Sequence, residues 1–340
     1  MKRLQWGWAL GIAAASLVGA AALLLWLGGR EATLAWIAER LSAASGGTLT
    51  IEGAKGSLYG PMTFDRIAYR SPDFTVSAER ISFHWHPLAL ARLKFRVEAL
   101  SMGTLKVAHV PKEAPPALPT RLTFPLAVIL EQATLERIEI QEGAEPLVVT
   151  SVSLSFESDG KRHRWRLTQA LTPWARMEGE GALEGTAPFR LEASVRLNEL
   201  RLAHLDAATV HASGDLQRFL LTVTPEAVWG QGTLQASISP FEEHPLRRLA
   251  GEFHELDLSR LNPSWPATRA ELRFALEGAD KELEGSVEAL NHVPGPLDRN
   301  RLPLSRLVAR LTIHDGNISA QLPVIVLGRA GEASGGGRWD

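Results

Sequence analysis

Two histidines separated by one residue form the best candidate for metal binding in the sequence. His84 and His86 flank Trp85 within an alternating stretch, so both imidazoles are expected on the same face of a strand. Imidazole nitrogens suit zinc and copper, and two on one face can begin such a site. No third ligand can be placed beside them from the sequence, and the chain has no cysteine to supply a thiolate. The pattern therefore favours a solvent-facing pair, and we predict no metal and no other cofactor.

Two further polar clusters carry charge without an evident reaction partner. Residues 161–166 are basic around Trp165, a composition that suits a phosphate or headgroup, but they directly follow the turn signal of residues 158–160. A solvated hairpin arm is the favoured interpretation. Residues 242–244 form a polar loop before a proline. Because the chain contains no Gly-x-Ser-x-Gly, Walker A, His-Glu-x-x-His or Gly-x-Gly-x-x-Gly sequence, we predict that it is not an enzyme.

The composition is that of an ordinary globular protein. The 340 residues are 45% hydrophobic and 22% charged, and the formal net charge is −2. A nucleic-acid-binding protein needs a basic surface to neutralise phosphates, so the near-neutral net charge argues against this class, and we predict no nucleic-acid partner. Glycine and proline, with 29 and 20 residues, are frequent enough to divide the chain into many short elements.

An apolar run near the N-terminus predicts a membrane anchor. Residues 8–27 contain no charged side chain and, as a helix, would span ~30 Å, about the hydrocarbon thickness of a bilayer. The run is longer than a signal-peptide core, although a cleaved signal peptide is the alternative. Lys2 and Arg3 precede it, which predicts a cytoplasmic N-terminus with the bulk of the chain in the bacterial periplasm. The residues assigned to the anchor include Trp8, Leu17, Leu24 and Trp26.

The rest of the chain changes from helical to strand-like spacing. Apolar residues share one helix face over residues 30–47, which predicts an amphipathic helix that lies on the membrane or packs on the first strands. From Thr48 the period is two. The predicted divisions are residues 1–29 for the cytoplasmic tip and anchor, 30–47 for the helix, 48–110 for a first β module, 111–125 for a proline-rich linker, and 126–340 for an extended β region.

Roughly fifteen to eighteen strands are expected after residue 48, by our count of alternating stretches. The alternation slips once, because Phe74 and Val76 are followed by Ile81 and Phe83, which predicts a bulge or break near Arg80. A sandwich or barrel holds fewer strands, and no helix is available to cover the apolar face. We therefore predict a mainly β fold in which a long sheet curls over its own apolar face.

That apolar face is the candidate functional site. One interpretation is a dry core, as in any β domain; the other is a groove for acyl chains, whose burial is favourable by ~0.8 kcal/mol per methylene. The excess of strands and the anchor favour the groove. The residues predicted to line it are Phe64, Phe74, Val76, Phe83, Trp85, Phe95, Val97, Phe156, Phe189, Leu191, Val195, Leu272, Phe274, Leu311 and Ile313.

Several short segments, in order and spacing, resemble the AsmA-like family and its translocation and assembly module branch. Six of them lie between the N-terminal anchor and the proline-rich linker, which also fits the family, and two follow the linker. The segments are Trp36–Leu41, Gly47–Gly53, Gly56–Gly60, Ile67–Arg70, Val76–Trp85, Pro87–Leu90, Val293–Asp298 and Leu302–Leu304.

The resemblance implies a fold and a function. It implies an inner-membrane-anchored, β-taco-like protein that bridges the periplasm, carries phospholipid toward the outer membrane and supports outer-membrane biogenesis. It also implies an outer-membrane barrel partner, TamA; the alternative is a factor that acts with TamA by strand addition to assemble or secrete barrel proteins. Family members are several-fold longer and end in a β domain that this sequence lacks, so we interpret the chain as continuing beyond residue 340 in nature. The family offers no catalytic residues.

Overall fold

The computed structural model describes most of the chain beyond residue 28. The described residues are 29–72, 74–109, 117–141, 145–200, 205–279, 282–314, 317–328 and 331–339. The predicted anchor, residues 8–27, lies outside them. Among the described residues, no helix has both the length and the hydropathy to cross a membrane. They contain nineteen strands, slightly more than the sequence predicts, and the mainly β fold is confirmed.

Two compact units divide the chain. Unit 1 consists of residues 1–111 and 125–159, and unit 2 of residues 112–124 and 160–340. The elements of unit 1 are α1 (Glu31–Ala44), β1 (Leu49–Glu52), β2 (Lys55–Gly56), β3 (Met62–Arg70), β4 (Phe74–Trp85), a 3₁₀ turn (Pro87–Arg92), β5 (Lys94–His109), β6 (Ala127–Gln141) and β7 (Leu147–Ser158).

Unit 1 is a sheet in which β1 and β2 both pair with β3. From β3 to β5 the pairing is antiparallel, β5 and β6 are parallel, and β6 and β7 are antiparallel. A parallel pair cannot be closed by a tight turn, so β5 and β6 are joined by the long proline-rich connection.

Helix α1 packs against the first strands of unit 1. Leu34 and Ala38, one turn apart, are its buried residues. The helix ends at Ala44, and its capping residue, Ser45, is followed by two glycines with positive φ. The Ser45 hydroxyl accepts a hydrogen bond from the Leu49 amide at 3.0 Å, which fixes the C-terminal end of the helix beside the start of β1.

Unit 2 is an antiparallel meander. Each of its strands pairs with the next one along the chain. Its elements are β8 (Arg162–Leu171), β9 (Arg176–Glu184), β10 (Arg190–Asn198), β11 (Leu205–Asp215), β12 (Phe219–Ala227), β13 (Gln231–Ile238), β14 (Leu246–Leu256), α2 (Leu258–Leu261), β15 (Ala270–Ala279), β16 (Glu282–Asn291), a 3₁₀ turn (Leu297–Arg299), β17 (Arg306–His314), β18 (Asn317–Val326) and β19 (Glu332–Trp339).

The end of the proline-rich connection packs on β8 and β9 within unit 2. The Leu122 amide donates to the Gly185 carbonyl at 2.9 Å. The Leu122 carbonyl lies 2.6 Å from Nε2 of His163, a buried histidine. His163 is thus a satisfied structural residue, and residues 117–124 are held in place rather than forming a loose linker.

Candidate functional site

An apolar row crosses ten strands of unit 2. Cross-strand partners in a sheet project from the same face, so a chain of register partners traces one face across the strands. One residue from each of β8 to β17 forms such a chain, and every member is aliphatic, aromatic or glycine. The row is Leu167, Gly179, Val195, Val210, Val223, Leu234, Gly251, Phe274, Val287 and Ala309. At about 4.8 Å between neighbouring strands, it extends for about 43 Å.

The opposite face of unit 2 is ionic. The residues that alternate with the apolar row include arginines and glutamates, which pair between strands. The nitrogen–oxygen distances are 3.1 Å for Arg166–Glu180, 2.8 Å for Arg196–Glu226, 2.9 Å for Arg273–Glu252 and 2.7 Å for Arg306–Glu288. Exposed pairs of this kind contribute only about 0–1 kcal/mol each to stability. Their consequence is a face that stays in water, which makes the sheet two-sided.

Glycines in the apolar row make space for large side chains. A Cβ on Gly251 would lie 2.5 Å from Cε1 of Phe274, so the phenylalanine ring lies over the glycine. Most members of the row are half-buried rather than sealed. Half-exposed aliphatic and aromatic groups in a continuous row are the surface that an acyl chain covers favourably.

Unit 1 has its own concavity in the apolar face of β3, β4 and β5. Its volume is about 390 Å³, within the range of pockets that hold small ligands. Every side chain that lines it is apolar or aromatic. The lining consists of Met62, Phe64, Ile67, Tyr69, Val76, Ala78, Ile81, Phe83, Leu100, Met102 and Leu105.

A transverse line of strand irregularities, here called the crease, passes behind this concavity. It consists of Asp65, Arg80, Gly103, Glu136 and Ser151, one residue in each of β3 to β7, and none of them has a register partner in the pairings from β3 to β7. Arg80 and Ser151 have φ values of 53° and 52°. The break that the sequence predicts near Arg80 is therefore confirmed, and it is one part of a line that crosses five strands.

Side chains of the crease hold it together on the polar face. Nη2 of Arg80 lies 2.8 Å from Oε2 of Glu136. The Arg80 guanidinium also lies where a Cβ on Gly103 would be, so a larger residue at position 103 would displace this side chain.

The crease explains the depth of the concavity. In a regular strand every second residue would line the apolar face. In β4 the lining instead passes from Ala78 to Ile81, and in β5 it passes from Met102 to Leu105. Two successive residues of each strand therefore have no side chain on the apolar face. The missing side chains leave a depression between the two halves of each strand.

Aromatic rings gather at one end of the concavity. The rings of Phe83, Trp85 and Phe95 have centroids 5.5–6.4 Å apart. The Trp85 indole donates to the Leu58 carbonyl at 3.0 Å, which fixes its orientation. Phe74 lies at the other end, with its ring 5.7 Å from that of Tyr69.

The structure distributes the predicted lining residues among these surfaces. Phe64, Val76 and Phe83 line the concavity of unit 1, and Val195 and Phe274 belong to the row of unit 2. Two others, Val97 and Phe189, have side chains only 4% and 1% exposed and are core residues. Half-buried positions are occupied by Phe156, Leu191, Leu272, Leu311 and Ile313.

Sequence reasoning missed the smaller members of both surfaces. Val210, Val223, Leu234 and Val287 alternate with polar residues in the sequence and could have been found by that signal. Leu100 and Met102 could have been found from a change in the alternation at Gly103. Before this residue the lining side chains have even numbers, and after it, at Leu105, they have odd numbers.

The histidine pair lies on the polar face. The His84 and His86 rings are 5.9 Å apart. Oε2 of Glu98 lies 3.1 Å from His84 Nδ1 and 3.3 Å from His86 Nε2. All three side chains are exposed, and no cluster of three or more acidic or histidine residues within the described ranges is arranged to hold a metal ion.

Residues 20–162 match the family model described as the TamB N-terminal domain. This match supports the assignment of residues 20–162 as a TamB N-terminal domain. No curated protein and no solved structure matches it significantly.

Proposed function

We propose that the chain is a membrane-anchored, non-catalytic carrier whose apolar face holds phospholipid acyl chains. The TamB domain supports a role in outer-membrane biogenesis in general. The observation that supports the lipid-carrying role is the apolar row across β8 to β17, since its half-buried side chains present a long surface without a polar interruption. Such a row offers an acyl chain many equivalent contacts and no single preferred binding position.

The energetics favour acyl chains as the occupant. Burial of a methylene contributes about 0.8 kcal/mol, so a lipid tail along the row or in the unit 1 concavity is held without specific contacts. Because each contact is weak and resembles the next, a tail can exchange one set of contacts for another. This property suits transfer better than permanent storage.

The proposed location follows from the predicted anchor. With residues 8–27 in the inner membrane and Lys2 and Arg3 in the cytoplasm, α1 and both units lie in the periplasm. The outer-membrane end of the route is proposed to be the barrel protein TamA.

Lipid occupancy of the purified full chain tests the proposal. Phe83 lines the concavity, whereas its neighbour Ser82 is exposed and does not line it. In native mass spectrometry of protein extracted from membranes, Phe83→Glu should lose bound phospholipid and Ser82→Glu should retain it. On β5, Met102→Glu should likewise lose bound phospholipid, and its control, Ser101→Glu, should retain it. Equal phospholipid occupancy in all four variants would contradict the proposal.

Strand addition is the second candidate function. Within the described part of the chain, β19 pairs with β18, and in this alternative a client or partner strand would add to β19. A proline at Ser334 removes a backbone donor from this strand. If strand addition is the function, Ser334→Pro should abolish partner binding and leave phospholipid occupancy unchanged.

A further inference from the structure

We infer that the turn between β4 and β5 inserts into the surface of an anionic membrane at the mouth of the unit 1 concavity. This turn, here called the tip, comprises residues 88–94. The inference rests on the proposed lipid-carrying function for its biological purpose, but its structural support is separate.

The tip exposes leucines that no described residue of unit 1 covers. Leu88 is 81% exposed and Leu93 is 71% exposed, and Leu90, between them, is 41% exposed. The exposure of these leucines is not due to a flexible loop. The backbone is fixed by hydrogen bonds from Leu93 to the Leu90 carbonyl at 2.9 Å and from Ala127 to the Leu93 carbonyl at 3.1 Å. A rigid, convex group of exposed leucines is costly in water and favourable in the headgroup–acyl boundary of a bilayer.

The charge of the tip selects the kind of membrane. Arg92 and Lys94 are its charged residues, both are exposed, and neither forms an ion pair with another described residue. Basic residues beside exposed leucines are the combination that anionic lipid surfaces attract. The tip contains no acidic residue to oppose this attraction.

The N-terminal end of α1 lies at the same end of unit 1 as the tip. The Ser45 end of α1 lies beside Leu49, which is opposite Tyr69 on β3. The helix also contacts β2, which is opposite Met62, so α1 runs back toward the Met62 end of β3. Met62 is the register partner of Phe83, and β4 ends two residues later. The first residue of α1, Glu31, therefore lies at the same end of unit 1 as the tip, and the predicted anchor precedes α1 in the sequence.

The aromatic cluster connects the tip to the concavity. Trp85 is the last residue of β4 before the turn, and Phe95 follows Lys94 directly. Their rings, with that of Phe83, lie between the tip and the concavity. A membrane-inserted tip would place this ring cluster where a lipid tail leaves the bilayer.

Depth-dependent fluorescence quenching tests the inference. Because the chain has no cysteine, Leu88→Cys in the full chain can be labelled at one site with an NBD fluorophore. The protein is reconstituted in vesicles of phosphatidylcholine and phosphatidylglycerol that contain lipids with acyl-chain nitroxides. The matched control is Leu297→Cys, a 64% exposed leucine in the second 3₁₀ turn, whose neighbour Asp298 is acidic. Leu93→Cys serves if Leu88→Cys disturbs the fold.

The expected result is strong quenching at position 88 or 93 and none at position 297. Changing Arg92 or Lys94 to Gln should shift the tip from the inserted toward the free state by about fivefold per charge, which corresponds to about 1 kcal/mol. The shift should disappear in vesicles of phosphatidylcholine alone. No quenching at the tip, or equal quenching at position 297, would overturn the inference.

The two proposals fail separately. If purified protein carries phospholipid but the tip is not quenched, only the membrane-inserting tip is wrong. If the tip is quenched but Phe83→Glu and Ser82→Glu carry the same amount of phospholipid, only the lipid-carrying function is wrong.

Discussion

Gly285 on β16 is the position where the packing of unit 2 can be perturbed most sharply with a single methyl group. It lies between Leu276 on β15 and Leu311 on β17 in the sheet register. A Cβ on Gly285 would collide with the Ala275 carbonyl oxygen and lie 2.8 Å from the Leu276 Cα. Both obstacles are backbone atoms, so the clash is relieved only if two strands move apart.

Two other glycines give a graded comparison with Gly285. On Gly251, the added Cβ would meet the edge of the Phe274 ring at 2.5 Å, and a side chain can rotate away. On Gly335 of β19, a Cβ would meet nothing within 4 Å. Overpacking costs about 1–3 kcal/mol, so we expect about 3 kcal/mol for Gly285→Ala and about 1 kcal/mol for Gly251→Ala. Gly335→Ala should be neutral or stabilising by about 0.5 kcal/mol, since alanine loses less backbone entropy on folding.

Thermal unfolding followed by circular dichroism measures this series. For a unit of this size, 1 kcal/mol corresponds to about 2–4 °C in Tm, so Gly285→Ala should lower the Tm by about 6–12 °C. Gly251→Ala should lower it by about 2–4 °C. If the Gly285→Ala and Gly335→Ala variants unfold at the same temperature, β15 and β16 do not approach each other closely at Gly285, and the reasoning is refuted.

Two further predictions concern local structure. Ser151 of the crease has a φ of 52°, a conformation that glycine adopts without strain, so Ser151→Gly should stabilise the protein by about 1 kcal/mol. The control, Ser153→Gly, lies in regular strand and should destabilise the protein by about 0.5–1 kcal/mol. A Tm that falls in both variants would contradict the crease. Burial raises the pKa of Asp257, but hydrogen bonds from Ser259 and Thr268 outweigh burial and leave the pKa below its ordinary value. The ionised carboxylate therefore stabilises the folded state above the ordinary aspartate pKa, and this contribution is lost as the pH falls through the lowered value. Asp257→Asn should lower the free energy of unfolding by about 1 kcal/mol at neutral pH, and its Tm should fall less than that of the unsubstituted protein as the pH is lowered. An unchanged dependence of Tm on pH at acidic pH would contradict the proposed role of the Asp257 carboxylate.

The two-sided nature of the strands could be predicted from the sequence because it is a local property. The alternation of residues 189–197 predicts one apolar and one polar face, and the strand is found as Arg190–Asn198. Phe189, which the same pattern assigns to the strand, instead precedes it with a φ of 58° and is buried. The period-two pattern reports which side chains share a face but not where the backbone leaves the sheet.

Register and long-range alignment could not be predicted in the same way. The slip at Arg80 is visible because two apolar series of opposite parity meet there, but its alignment with Gly103 and Ser151 depends on how the strands pair. The parallel pairing of β5 with β6 is likewise invisible in the sequence. Consequently the individual apolar residues were predictable, and the depression that they line was not.

Opposite-face photo-crosslinking tests the central claim, that phospholipid tails lie on the apolar face, most directly. Phe95 and Val195 are on that face, and the next residues, Arg96 and Arg196, pair with Glu131 and Glu226 on the other. A photoreactive amino acid is placed at each of the four positions in the membrane-inserted full chain, and adducts are identified by mass spectrometry. We expect phospholipid adducts at positions 95 and 195 and none at 96 and 196. Only protein–protein adducts at positions 95 and 195, or equal lipid adducts at all four positions, would contradict it.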